Sequence, residues 1–206
     1  MGGHTDDQLD VPDIPEVDVL RAQCYALLSR LLAAPPAPEV LERVGAMEGG
    51  DGTELGQALS TLAAVARRTT AEAVEDEYHD LFIGVGAGEL TPYGSYYLTG
   101  FTYAKPLAKL RIEMGRLGIA RADDVPEPED HIASLCEMMS GLINGAYGAP
   151  IELAKQQEFF GAHLGSWAPK FFQDLEAAKS AALYMPVGTI GRLFMAVESQ
   201  AFEMAA

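Results

Sequence analysis

The chain has 206 residues and a formal net charge of −16; hydrophobic residues make up 49 % of it and charged residues only 21 %. This composition supplies a real core and excludes a wholly disordered chain. A field of that sign repels nucleic-acid phosphates and anionic lipid headgroups and attracts basic partners.

Residues 1–16 read as a flexible acidic lead-in, with Asp6, Asp7, Asp10 and Asp13 around Pro12 and Pro15. They carry neither a basic n-region nor an apolar h-region, so no export signal is expected. Residues 17–206 are expected to form a single all-helical domain. Its first helix spans Val17 to Ala33, with Leu20, Cys24, Leu27, Leu28 and Leu31 on one inward face. Pro35, Pro36 and Pro38 end it, and a short helix follows near Glu39–Val44. After a glycine-rich loop, a helix runs from Thr53 to about Arg67. Thr69 with Glu72 makes a capping box for the next helix, which buries Val74, Tyr78, Leu81 and Phe82.

Gly84 to Gly100 reads as irregular and rich in Gly and Tyr. Pro106 suits the first turn of a helix that stops at Gly118. Residues 122–129 read as a hinge. Asp130 opens a strong helix carrying Ile132, Leu135, Met139, Leu142 and Ile143, with Glu129 and Asp130 in its first turn, and Gly145 stops it. A helix from Ile151 to Leu164 follows. Ser166 is the expected cap of the next, and the last starts near Pro186. No alternating strand pattern of useful length occurs, so the fold class is all-α, a globule of eight to nine helices.

Residues that could carry chemistry are sparse. Cys24 and Cys136 form no C-x-x-C pair and read as small buried hydrophobes, which suits a reducing compartment and a cytoplasmic protein. Gly84-Val85-Gly86-Ala87-Gly88 follows a helix rather than a strand and lacks the context of a phosphate loop. None of His79, His131 and His163 belongs to a Glu-x-x-His pair, so no metal and no cofactor is expected. Two features remain. Tyr93, Tyr96, Tyr97, Phe101 and Tyr103 offer apolar bodies with polar tips, as loop aromatics packed on the core or as a recognition surface. Glu127-Pro128-Glu129-Asp130-His131 offers three carboxylates and an imidazole, either as plain capping or as a site for guanidinium groups. A metal or acid–base enzyme using His131, Asp130 and His79, or a scaffold binding a folded partner, are the rival readings.

Several of these segments together resemble the TorD/DmsD/NarJ family of redox-enzyme maturation chaperones. Glu77-Tyr78-x-x-Leu81-Phe82 followed by Pro92-Tyr93-Gly94-Ser95 is similar to the family's central signature. Glu127 to His131 resembles its acidic-Pro-x-Asp-His motif. Phe159-Phe160-x-x-His163-Leu164-x-x-Trp167-x-Pro169-x-Phe171 resembles its later signature. The resemblance runs from about Thr70 to Phe202. It implies a TorD-like helical chaperone, a monomer or domain-swapped dimer, and not an enzyme. Its implied partners are the twin-arginine signal peptide and the apo form of a molybdopterin-containing oxidoreductase, such as a formate dehydrogenase or a DMSO/TMAO reductase. Nucleic acid and stable membrane insertion are not implied. The implied peptide-binding residues are Tyr93, Ser95, Tyr96, Pro128, Asp130 and His131, with Glu127 and Glu129 as further partners for arginine. Tyr93 stands where some relatives carry Trp.

Overall fold

The computed structural model describes residues 14–50, 52–121 and 127–205. The acidic lead-in therefore lies almost wholly outside the described residues, as does most of the expected hinge. Ten α-helices are described: α1 (Glu16–Leu32), α2 (Pro38–Gly45), α3 (Glu54–Ala66), α4 (Ala71–Tyr78), α5 (Gly94–Thr99), α6 (Lys105–Leu117), α7 (Ile132–Asn144), α8 (Leu153–His163), α9 (Ala168–Glu176) and α10 (Tyr184–Ala205). One π-helical turn, His79–Ile83, continues α4. Among the described residues there is no strand, and no helix is long and apolar enough to cross a membrane.

The core forms where α1 packs along α7 and α10 packs along α9 and α3. The buried side of α1 is Ala22, Tyr25, Leu28, Leu31 and Leu32. This corrects the expected stripe: Leu20 is 58 % exposed and Cys24 and Leu27 are only half-buried. The helix carries two apolar stripes rather than one, and the core takes the one that contains Tyr25.

Helix ends follow local chemistry at several points. Thr53 Oγ1 accepts the Gly56 N–H at 3.0 Å and opens α3. Gly118 and Gly145 stop α6 and α7 in the left-handed region, at φ 71° and 81°. Other caps differ from expectation. Thr70, not Thr69, caps α4 by accepting the Ala73 N–H. No side chain caps α9, whose N-cap is Trp167 rather than Ser166. The last helix begins two residues before Pro186, at Tyr184.

That last start is set from far away. The buried Glu77 carboxylate accepts the N–H groups of Ala182, Leu183 and Tyr184 at 2.7, 3.0 and 2.8 Å. These are the first N–H of α10 and the two that lead into it, so an acid on α4 caps a helix more than 100 positions later. Next to it, Tyr78 donates to the Leu32 carbonyl and Tyr184 to the Leu31 carbonyl, satisfying the tail of α1. A second polar knot joins α1, α8 and α10. Arg21 makes a two-bond pair with Glu198 at 2.7 and 2.9 Å and also donates to Asp18 and Gln156, while Tyr25 donates to Glu198. Glu198 is buried, and this full set of donors is what makes its charge tolerable there.

Candidate functional site

The signature segments that are far apart in sequence meet at the head of α7. The stretch that reads as irregular in the sequence contains α5, one short helix starting at Gly94. Its preceding residue, Tyr93, pairs with His131 as an isolated antiparallel bridge. The bridge is closed by Gly94 N–H to the Asp130 carbonyl and Ile132 N–H to the Pro92 carbonyl, both 2.9 Å. Asp130 Oδ2 then accepts the Ser95 N–H at 2.7 Å. Asp130 therefore serves the start of α5 and does not sit in the first turn of α7, as expected from sequence. Nor does Glu129: α7 begins at Ile132 with no acid in its first turn, and its N-cap is His131, whose Nδ1 accepts the Ala133 N–H at 3.1 Å.

The third segment closes the arrangement. Trp167 Nε1–H donates to the His163 carbonyl at 2.6 Å, and the indole packs against Gly94. A Cβ at position 94 would lie 3.0 Å from Trp167 Nε1, so any larger residue would have to push the indole or α5 away by a few tenths of an ångström. A cavity of about 10 Å³ lies where Gly94, Asp130, His163 and Trp167 converge.

Electrostatics divide the acidic motif into three roles. Glu129 is buried and already paired: Arg111 Nε lies 3.0 Å from Oε1 and Nη2 lies 2.8 Å from Oε2, with Arg121 Nη1 at 3.8 Å. Burial pushes the Glu129 carboxyl up, but the Arg111 guanidinium, its own backbone N–H and Arg121 outweigh it and hold the group below the usual carboxylate range. Glu127 is half-buried and accepts a short bond from the Tyr93 hydroxyl. Burial, then that carboxylate, raises the Tyr93 phenol above its ordinary value. Asp130 is 3 % exposed, and its Oδ1, like the buried Ser95 Oγ, has no hydrogen-bond partner among the described residues. Burial lowers the His131 imidazole to about 4, so the ring is neutral, with Nδ1 accepting and the proton on Nε2. Its ring meets Tyr93 edge-on at 5.2 Å.

Of the residues singled out from sequence, Tyr93, Ser95, Pro128, Asp130 and His131 are brought together, with Pro128 and Ser95 buried and Tyr96 exposed on the outer side of α5. The tyrosine-rich stretch splits. Tyr97 packs on Trp167 and Phe171, whereas Phe101 and Tyr103 stand out in solvent, Tyr103 at φ 58°. His79 is exposed on the π turn beside Asp80, and among the described residues no group of three or more His, Cys, Asp or Glu side chains could hold a metal. Sequence reasoning missed Arg111 and the structural task of Glu77. The only trace of the first is a cation on the helix preceding the acidic motif; the second left none, because its partners are backbone groups.

Residues 48–173 match the family described as "Nitrate reductase delta subunit". The chain belongs to this family of redox-enzyme maturation chaperones. As a family member it is similar to a "Chaperone protein TorD" of Aliivibrio fischeri, 30 % identical over 171 residues that cover 73 % of this chain and 80 % of the relative. A second protein of that name, from Vibrio atlanticus, is 27 % identical over 87 % of this chain and 93 % of its own length. A "Tat proofreading chaperone DmsD" of Salmonella typhi is 27 % identical over 68 % of this chain and 67 % of its own. The fold matches the crystal structure of a putative redox enzyme maturation protein from Archaeoglobus fulgidus with a TM-score of 0.57 at 21 % identity, covering 95 % and 96 % of the two chains. The relatives are named as chaperones, and the family member described here is a maturation protein rather than an enzyme.

Proposed function

We propose that this chaperone is cytoplasmic, binds the twin-arginine signal peptide of a molybdoenzyme, and holds the apo enzyme until molybdopterin is inserted and export can follow. The observation that carries the reading is the buried Asp130 Oδ1, an acceptor oxygen without a partner among the described residues, at the junction of the signature segments. A buried acceptor short of a donor is costly unless a ligand completes it, and a guanidinium supplies donors in a plane. Tyr96 and the half-exposed Glu127 make the outer contacts, the Pro128–His131 segment parts from α5, and the ligand arginine reaches Asp130 beside Tyr93, Ser95 and His131. Glu129 keeps Arg111 and takes no part in the first encounter. The net charge of −16 steers the basic end of a leader toward the protein from a distance. The client in this reading is a formate dehydrogenase or a DMSO/TMAO-reductase-type enzyme. The oligomeric form is a monomer or a dimer that exchanges elements across residues 122–129, which light scattering after size-exclusion distinguishes.

Calorimetric titration with a synthetic twin-arginine leader, beside a twin-lysine control, tests the reading. Saturable binding that weakens with the control peptide and with salt is expected, because lysine cannot make the planar two-bond contact. Equal binding of both peptides, or none, overturns it.

A further inference from the structure

The apolar stripe of α1 that the core does not use forms one wall of a groove. Val17, Leu20 and Leu27 on α1 face Leu55 and Leu59 on α3 and Val197 on α10, enclosing about 390 Å³. Val17, Leu20 and Val197 are all more than half exposed. Three separate helices thus turn aliphatic side chains to the same solvent-facing trough, which is more than scattered surface hydrophobicity. The floor stays uncharged. Cys24 lies in it, and burial, then Glu198, raises its thiol to about 11. Arg21 is the single charged side chain among the lining residues, and its guanidinium is occupied by Glu198 and Asp18. Exposed carboxylates flank it in the chain: Glu16, Glu48 and Glu54 are the sequence neighbours of the lining residues Val17, Met47 and Leu55.

An apolar trough flanked by carboxylates complements one kind of occupant. We infer that this groove docks an amphipathic helix of a partner protein, with its apolar face in the trough and its lysines or arginines against Glu16, Glu48 and Glu54. Residues at i, i+3 and i+7 of such a helix would fill the space between α1 and α3. The chain's own acidic residues 1–13 and a second copy of this acidic protein both bring charge of the wrong sign. The groove shares no lining residue with the signature junction, so this surface is separate from the proposed signal-peptide site.

The probe is a synthetic helical peptide with leucines on one face and lysines on the other, titrated by fluorescence anisotropy into the full chain. Leu20→Lys is expected to weaken binding by about tenfold or more. Ile112→Lys, which adds the same charge at an exposed apolar site on α6, is expected to leave it unchanged. A leucine/glutamate peptide should not bind. Equal losses in the two variants would reduce the effect to bulk charge and overturn the assignment. A photo-crosslinking residue at position 197 provides a second readout that does not depend on the Lys variants. An adduct with the peptide supports the inference. A crosslinked homodimer assigns the groove to a second copy, and an intrachain adduct with residues 1–13 assigns it to the chain itself; either result overturns the inference. Titrating the twin-arginine leader into Leu20→Lys separates the two sites, because that affinity should be retained whatever happens at the groove.

Discussion

Two buried carboxylates from two signature segments do the same local job with different completeness. Glu77 caps α10 with three backbone donors, and neither oxygen lacks a partner. Asp130 caps α5 with one donor, and its other oxygen has none among the described residues. The first is a closed structural device. The second spends one oxygen on the fold, and the other is the oxygen that the proposed function assigns to a ligand arginine. A family motif is therefore not by itself a binding motif: the hydrogen-bond inventory of each acid separates scaffold from site.

Substitution of either acid tests the difference between them. Glu77→Ala leaves three backbone N–H groups short of an acceptor and should destabilise the fold by roughly 4 kcal/mol, read as a lower denaturation midpoint. The protein that remains folded should bind a twin-arginine leader as before. A change smaller than about 1 kcal/mol would remove the distinction drawn between the two acids.

Acid supplies the next largest effect, through His131. Its imidazole is held near 4 in the fold, against 6.5 when free. Above pH 6.5 neither state is protonated and stability is full. As pH falls from 6.5 toward 4, only the unfolded chain takes up this proton, and the loss grows to about 3 kcal/mol before levelling off. The carboxyls of Glu89, Glu129 and Glu176, held below 4.5, add their own losses at lower pH. Stability measured against pH in the wild type and in His131→Gln isolates the imidazole: the slope between pH 6.5 and 4 should flatten in the variant.

The smallest effect belongs to Asp130→Asn. The side-chain oxygen can still accept the Ser95 N–H, so stability should move by less than about 1 kcal/mol. Leader affinity should fall by about tenfold or more, because an amide cannot make the charge-assisted bond of a carboxylate to a guanidinium. Titration calorimetry and unfolding on the same sample give both numbers. A variant that loses stability and keeps affinity would make Asp130 a second Glu77.

Much of this molecule was legible in sequence where the cause is local. Gly118 and Gly145 announce their stops, and Thr53 its start, because each acts on backbone within a turn of itself. The three signature segments were found, but not the way they meet. Little in Gly94 to Thr99 favours a helix by propensity; the acceptor for its Ser95 N–H is supplied by Asp130, 35 positions away. Thr69 and Thr70 are adjacent candidates for one cap, and periodicity cannot choose between them. On α1, Leu20-Cys24-Leu27 and Tyr25-Leu28-Leu32 have equal claims to the core by spacing alone. The buried acceptors that Tyr25 and Tyr78 reach decide the matter, and those lie on other elements or at a helix end.

Trp167 is the single tryptophan of the chain, and it is buried against Gly94 and Tyr97 beside the Asp130 cavity. Its indole N–H is committed to the His163 carbonyl, so its surroundings are defined rather than averaged over solvent. Any ligand that parts α5 from the Asp130 segment must alter the polarity around that ring. The protein thus carries an intrinsic fluorophore at the junction, and its emission colour and quenching report occupancy of the site without a label.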